Sequence, residues 1–258
     1  MITYLLRYLK FITKSSNQHG VHSPFVYGLV TKCLYKKTNK KKWLSFLKIK
    51  QQLLDNKNYI KVTDFGAGSK IFKSNKRQVS KIVRVAGISN RKAKILIKLV
   101  DYFCPEYCLE IGTSVGLGTS AIKIGNLNAK ITTLEGCPET ANIAQKTFKN
   151  KGFTDISIIV GDFNKTLQKT LEDKKIDFLY FDGNHTKEAT LKYFNQCLPT
   201  VHNNSIWVFD DIYWTQEMQD AWIEIKAHPK VSVTVDIFHF GIVFFRKEQQ
   251  KENFKIRV

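Results

Sequence analysis

The sequence predicts an α/β protein built on a doubly wound, mostly parallel sheet. Short apolar runs alternate with helical patterns of roughly a dozen residues, which is typical of repeated strand–helix–strand units. An acidic residue stands at the end of each run, and the length of 258 residues suits one large domain with an appendage. The predicted strands are Tyr107–Ile111, Lys130–Glu135, Ile156–Val160, Phe178–Asp182 and Ser205–Asp210.

Two more apolar runs, Val231–Phe238 and Ile242–Arg246, follow a predicted helix over Thr215–Ala227. Gly241 lies just before the second run, and glycine at such a place favours a turn. The two runs therefore predict a terminal antiparallel pair. Together with the five alternating strands they predict a seven-stranded sheet whose last strand is antiparallel.

The part of the chain before the sheet is predicted to be helical. Apolar residues from Ile2 to Ile12 recur with helical spacing, so we expect a short amphipathic helix that packs on the protein or lies on a membrane. Ser23-Pro24 combines a preferred N-cap with a preferred first helical residue, and predicts a helix over Phe25–Tyr35. Two further helices are predicted over residues 74–86 and 90–103.

Charge divides the chain more sharply than any other property. Residues 1–103 hold 23 basic and three acidic residues, a net charge of +20, whereas residues 104–258 hold 18 basic and 19 acidic residues, a net charge of −1. We divide the chain at this point into a basic N-terminal cap and substrate region and a core. The basic part could bind RNA, anionic lipid or an acidic substrate. It could also reflect a lysine-rich genome, since only 6 of the 41 basic residues are Arg.

Composition excludes several classes of protein. Hydrophobic residues make up 43% of the chain and aromatic residues 12%, which is enough for a sizeable core and argues against disorder. No apolar run approaches the length of a membrane-spanning helix, and the N-terminus lacks the features of a signal peptide. Five cysteines without a C-x-x-C pair predict reduced thiols and a cytoplasmic location.

The most informative loop follows the first predicted strand. It runs Glu110-Ile-Gly-Thr-Ser-Val-Gly116 and leads into a helix near Thr119. Gly112 and Gly116 allow a sharp turn and close approach of a ligand, and the helix N-terminus offers free N–H groups to an anion. Ser114 breaks the spacing of the dinucleotide fingerprint, and no Gly-Lys-Ser/Thr follows, so neither a NAD fold nor a phosphate-binding P-loop is favoured.

Acidic residues also mark the ends of the later strands, where an open α/β sheet binds its ligands. Glu135, 25 residues beyond Glu110, could accept both hydroxyls of a ribose, and Asp162-Phe163 suits an adenine amino group and ring. The fourth strand ends in Asp182-Gly-Asn-His185 and the fifth in Asp210-Asp211. Each acid alone could cap a helix, but five consecutive strand ends of this kind predict a ligand site.

These motifs resemble those of class I S-adenosylmethionine-dependent methyltransferases, which have a Rossmann-like sheet. Glu110–Gly116 resembles their first motif and Glu135 their ribose-binding acid, and the resemblance covers about residues 90–258. It implies S-adenosyl-L-methionine as cofactor and a set of residues that contact it. These residues are Glu110, Gly112, Thr113, Ser114, Gly116, Thr119, Glu135, Gly136, Cys137, Asp162, Phe163 and Asp182.

Within that superfamily, the ends of strands four and five resemble catechol and caffeoyl-CoA type O-methyltransferases. The resemblance implies a divalent cation such as Mg²⁺ held by Asp182, Asp210 and Asp211, although Asp211 stands where the family has Asn. His185 lies three residues after Asp182, where the catechol enzymes carry a lysine base, and its ordinary pKa suits proton abstraction near neutrality. Asp182 and His185 are therefore the predicted catalytic residues, and the alternative is that His185 caps the following helix.

Two further segments belong to this interpretation. His19–Phe25 and Glu135–Thr140 resemble a bacterial branch of predicted O-methyltransferases. A second glycine-rich turn, Asp64–Ser69, is followed by Lys70, Lys73, Lys76 and Arg77. We interpret residues 64–77 as a basic loop over the mouth of the site that favours an anionic substrate; the alternative is a solvated turn.

The function predicted first is therefore O-methylation of a small hydroxyl compound, anionic or aromatic, by an enzyme that could form a homodimer. The second hypothesis is an RNA methyltransferase that uses the basic N-terminal region for phosphate contacts. The fourth strand ends in Phe-Asp-Gly-Asn, which differs from the motif that holds an exocyclic amine and disfavours methylation of adenine or guanine nitrogen. The third hypothesis is a non-catalytic protein that binds an anionic membrane surface or a protein partner.

Overall fold

The computed structural model describes residues 2–63, 74–172 and 175–258. Its helices are α1 Ile2–Lys14, α2 Pro24–Leu29, α3 Lys40–Asp55, α4 Val79–Ala86, α5 Asn90–Phe103, α6 Leu117–Gly125, α7 Pro138–Asn150, α8 Phe163–Leu171, α9 Lys187–Cys197 and α10 Gln216–Ala227. Its strands are β1 Tyr59–Lys61, β2 Lys76–Gln78, β3 Tyr107–Ile111, β4 Lys130–Glu135, β5 Ile156–Val160, β6 Phe178–Phe181, β7 Ile206–Asp210, β8 Val233–Asp236, β9 Phe240–Phe244 and β10 Glu252–Lys255.

The chain packs into two compact units. The central unit contains residues 37–172. The terminal unit contains the described residues that precede and follow it in the sequence, up to residue 36 and from residue 175 onward. The sequence-based division at residue 103, into a basic cap and substrate region and a cofactor-binding core, assigns functions to the two parts and stays a prediction.

The central unit contains three parallel strands in the order β3-β4-β5. Each strand is followed by its own helix, α6, α7 or α8, as expected of consecutive strand–helix units. The unit also contains helices α3, α4 and α5 and the separate two-stranded sheet β1-β2, and α5 packs on α6. The carboxyl ends of the three strands therefore lie side by side at one edge of this unit.

The terminal unit contains five strands in the order β10-β8-β9-β7-β6. β6 and β7 are parallel, and β9 is antiparallel to both β7 and β8. Every residue of β6, β7, β8 and β9 is buried. Burial on both faces explains why β6 and β9 read as continuous apolar runs in the sequence.

The predicted fold class is confirmed: the protein is α/β, its sheet strands are mostly parallel, and helices dominate its N-terminal part. Each of the seven predicted sheet strands is present, and β8 and β9 form the predicted antiparallel pair. The count of seven was wrong because β10, which is parallel to β8, was missed.

The N-terminal helices also differ in part from their predicted bounds. Ser23 caps α2 as expected, since its hydroxyl accepts a hydrogen bond from the backbone N of Val26 at 3.4 Å. The helix predicted over residues 74–86 begins only at Val79, because Lys76–Gln78 forms β2 and pairs antiparallel with β1. Most of the predicted basic loop, residues 64–73, lies outside the described residues. Among the described helices, none combines the length and apolarity needed to cross a bilayer.

Candidate active site

The loop after β3 has a backbone that is fixed by hydrogen bonds. Gly112, Ser114 and Gly116 have φ angles of 105°, 49° and 87°. The backbone N–H groups of Gly112 and Thr113 both donate to the carbonyl oxygen of Leu134 in β4, at 3.0 Å. A Cβ at Gly116 would lie 2.8 Å from the ring of Phe148. The loop thus has one tightly packed course between β3 and α6, as a preformed ligand cradle requires.

Glu110 lies inside the protein, beneath this loop. Its carboxylate accepts hydrogen bonds from the hydroxyls of Thr119 and Thr133, the latter at 2.6 Å. Burial raises the pKa of Glu110 to about 7, although the two hydroxyl donors oppose the shift. Its Oε1 atom has no hydrogen-bond partner among the described residues. Glu110 therefore connects β3 with β4 and α6, and its contact with a cofactor stays a prediction.

Glu135 is held at the end of β4 by backbone groups of two loops. Its Oε2 accepts a hydrogen bond from the N–H of Ser114 at 2.6 Å, and its Oε1 accepts one from the N–H of Cys137 at 2.8 Å. Burial raises the pKa of Glu135, and the same N–H donors oppose that rise. A carboxylate has about four acceptor positions, so both oxygens can still accept hydroxyl groups of a ligand.

The remaining predicted cofactor residues of the central unit lie in the loops after β4 and β5. Asp162 caps α8, since its Oδ1 accepts from the backbone N of Asn164 at 2.9 Å, and Phe163 begins that helix. The N–H of Gly161, just before them, donates to the carbonyl of Glu135 at 2.9 Å. The Cys137 thiol is buried and accepts from the N–H of Thr63 at 3.4 Å. Gly136 lies between Glu135 and Cys137 in the loop after β4, and its contact with a cofactor stays a prediction.

The side chains of Thr113 and Thr119 are used inside the protein. Both are buried, and the Thr113 hydroxyl is 2.6 Å from that of Thr133. Their hydroxyls therefore stabilise the loop, and a contact of either threonine with a cofactor would be made by its backbone groups. Thr133 was missed in the sequence because a threonine inside a strand carries no signal for such a role.

Both predicted catalytic residues, Asp182 and His185, belong to the terminal unit. His185 follows β6, and its Nε2 lies 3.6 Å from Oδ1 of Asp182. The imidazole stacks on the indole of Trp214 at a centroid distance of 5.8 Å and an interplanar angle of 15°. The N-cap of α9 is Thr186, whose hydroxyl accepts from the N–H of Ala189 at 3.3 Å. His185 is therefore not the helix cap, and its ring is free of that role.

The loop after β7 is supported from the N-terminal helix. Nη1 of Arg7 in α1 donates to the carbonyl oxygens of Tyr213 and Trp214, at 2.9 Å and 2.7 Å. The Tyr213 hydroxyl donates to Oδ2 of the buried Asp236 at 2.6 Å, and Lys255 lies near the same oxygen at 4.0 Å. Arg7 was missed because one arginine in an amphipathic helix does not indicate a partner far along the chain.

The three aspartates predicted as metal ligands lie at or just after the ends of β6 and β7. Asp210 is buried, and its two oxygens accept hydrogen bonds from the Tyr180 hydroxyl at 2.9 Å and from the N–H of Asp211 at 2.7 Å. Asp211 has a φ angle of 51°. In the described parts of the chain, no group of three His, Cys, Asp or Glu side chains is placed to hold a metal ion. Cation binding by Asp182, Asp210 and Asp211 therefore stays a prediction.

The part of the sequence that contains these loops is similar to known proteins. A family model described as a methyltransferase domain matches residues 109–212, which include the loops after β3, β4, β5 and β6 and the first two residues after β7. A protein-L-isoaspartate O-methyltransferase from Methanococcus maripaludis is 28% identical over 109 residues, 38% of this chain and 50% of that protein. The chain thus spans half the length of this curated relative.

Solved structures share the fold over most of both chains. A methyltransferase from Podospora anserina bound to S-adenosylhomocysteine (SAH) has a TM-score of 0.60 and 15% identity, over 88% of this chain and 97% of that one. An O-methyltransferase from Bacillus cereus in complex with SAH has a TM-score of 0.57 and 18% identity, over 86% of this chain and 97% of that one. The matched domain and the shared fold confirm the resemblance to class I methyltransferases.

Proposed function

We propose that this protein transfers the methyl group of S-adenosylmethionine to a hydroxyl oxygen of a small acceptor. The observation that carries the proposal is the fixed carboxylate of Glu135, which two backbone N–H groups hold beside the loop after β3. Proteins of the same fold are described as bound to SAH and as O-methyltransferases. A methyltransferase domain match over residues 109–212 supports the same reaction class.

The central unit supplies groups that fit the cofactor. Glu135 would accept the ribose hydroxyls, and Asp162-Phe163 would lie against the adenine. The loop from Gly112 to Gly116 and the start of α6 present backbone groups for the methionine part. When bound, S-adenosylmethionine supplies an electrophilic methyl group on a sulfonium. The protein's part is to bind and orient it, since correct positioning alone lowers the barrier of such a transfer.

The terminal unit supplies a candidate base for the acceptor. The acceptor oxygen forms a bond to the methyl carbon as the carbon–sulfur bond breaks, and the hydroxyl proton leaves to a base. When Nε2–H of His185 points towards Asp182, Nδ1 is the basic nitrogen, and Asp182 stabilises the imidazolium that forms. Trp214 is 52% exposed and could hold an aromatic acceptor by stacking. No step of this proposal is routed through a metal.

Cofactor binding tests the proposal first. Isothermal titration with SAH should show binding to the wild type, and Glu135→Gln should weaken it about tenfold or more, because a hydrogen bond to a charged group is lost. Glu139→Gln is the matched control: Glu139 is exposed in the first turn of α7 and should leave affinity unchanged. The absence of SAH binding to the wild type would refute the proposed function. Equal affinities of the wild type and Glu135→Gln would refute the role of Glu135.

Turnover tests the candidate base. SAH release would be measured with a panel of phenolic and anionic hydroxyl compounds, with and without magnesium. His185→Ala should keep SAH affinity and lower turnover about a hundredfold. His202→Ala is the control, because His202 is also partly exposed and lies 3.0 Å from a carboxylate, that of Asp177. Unchanged turnover in His185→Ala would remove it from the reaction, and a strict dependence on magnesium would contradict the metal-free step.

A further inference from the structure

The N-terminal helix α1 has two apolar faces, and one of them is packed. Tyr4, Tyr8 and Phe11 contact the ring of Phe238, with centroid distances of 5.1, 4.9 and 5.5 Å. Phe11 is 3% exposed. Arg7, on the same side of the helix, donates to the two carbonyl oxygens described above. This aromatic face therefore packs α1 against Phe238 and the loop after β7, within the terminal unit.

The opposite face of α1 is uncovered. Leu5, Leu6 and Leu9, here called the leucine stripe, are 57%, 59% and 52% exposed. At about 100° per residue, they lie on the side of the helix away from Phe11. Single exposed leucines are ordinary, but a contiguous apolar patch marks an interaction surface.

The charges beside the leucine stripe are all positive. Lys10 and Lys14 are exposed on α1. At helical spacing Lys10 lies about 40° from Leu6, next to the stripe, and Lys14 lies one turn further along on the same side, farther from the stripe. Residues 1–36 contain five basic and no acidic residues. A second copy of α1 would bring like charges together, whereas an apolar stripe with a lysine rim complements an anionic bilayer.

We propose that α1 is a docking site for an anionic lipid surface. The helix lies in the plane of the membrane, with the leucine stripe at the boundary of head groups and acyl chains and the two lysines among anionic head groups. Its 13 residues are fewer than the roughly 20 that would span a bilayer. Docking needs no unfolding, because the aromatic face stays packed while the stripe is inserted. This proposal does not depend on the proposed methyl transfer.

Co-sedimentation of the full chain with vesicles tests the proposal. The wild type should bind vesicles of mixed phosphatidylglycerol and phosphatidylcholine, more weakly as salt rises, and should stay in solution with pure phosphatidylcholine. Leu5→Ser combined with Leu9→Ser should lower the partition coefficient about tenfold or more. The matched control is Leu127→Ser, since Leu127 is 63% exposed in the central unit and should not contribute.

A second variant separates charge from insertion. Lys10→Gln with Lys14→Gln should lower binding to the anionic vesicles by about threefold to fivefold for each lysine, which is about tenfold to twenty-five-fold for the pair. The exposed lysines Lys146 and Lys149 of α7 provide the control pair, and their replacement by Gln should have a smaller effect. Three results would overturn the proposal: no sedimentation of the wild type with anionic vesicles, equal binding by the leucine variant and its control, or a dimer that the leucine variant abolishes without any vesicle binding.

Discussion

Replacement of Gly116 by Ala should destabilise the protein for two separable reasons. Gly116 has a φ angle of 87°, and a Cβ there would lie 2.8 Å from Cε1 and Cζ of Phe148 and 3.0 Å from Cβ of Ala144. A left-handed backbone costs a non-glycine residue about 1–2 kcal/mol. Phe148 is 1% exposed, so its ring cannot move aside into solvent, and overpacking adds about 1–3 kcal/mol. The expected loss in free energy of unfolding is about 2–5 kcal/mol.

Gly152→Ala separates the two contributions. Gly152 has a φ angle of 66°, and a Cβ there would meet nothing within 4 Å. This substitution should therefore cost only the backbone term, about 1–2 kcal/mol. The difference between the two variants then measures the contact with Phe148 and Ala144.

The assay is urea denaturation of the wild type and both variants, followed by circular dichroism. The slope m should stay constant while the midpoint falls, and it should fall further for Gly116→Ala. Gly116→Ala combined with Phe148→Leu should cost less than the sum of the single substitutions, because the smaller side chain relieves the clash. Equal costs at Gly116 and Gly152, or strict additivity with Phe148→Leu, would refute this account of the loop.

Two buried carboxyl groups give further predictions. Burial raises the pKa of Glu110 to about 7 from 4.5, so the folded state retains a proton that the unfolded state loses in this window. The free energy of unfolding should therefore fall as pH rises from about 4.5 to 7. Because Glu110→Gln lacks this titration, urea denaturation should show its stability rising relative to the wild type by about 3 kcal/mol over that pH range. Parallel pH profiles of the two proteins would contradict this assignment. Tyr213→Phe should cost about 1–3 kcal/mol because the buried Asp236 loses its hydroxyl donor, and an unchanged thermal midpoint would show that the 2.6 Å hydrogen bond adds no net stability.

The strands of the sheet were predictable because burial on both faces leaves a direct signal. β6 and β7 are buried at every position; β6 reads as an unbroken apolar run, and so does β7 up to Asp210. β2 and β10 gave no such signal, because β2 has no buried residue and β10 buries only Phe254. Their strand conformation depends on backbone pairing with β1 and β8, which the side chains of Lys76–Gln78 and Glu252–Lys255 do not indicate.

The sequence by itself determined the α/β class, the order of the strand–helix units and the position of Glu135 at a strand end. These follow from local periodicity, which each segment carries independently of the others. Only the tertiary structure decided that Glu110 is buried, that Arg7 supports the loop after β7 and that α1 packs by its aromatic face. Each of these depends on groups far along the chain, because the fold rather than the local sequence decides which residues become neighbours. The same holds for Asp210, whose Oδ2 accepts a hydrogen bond from the hydroxyl of Tyr180, 30 residues earlier in the chain.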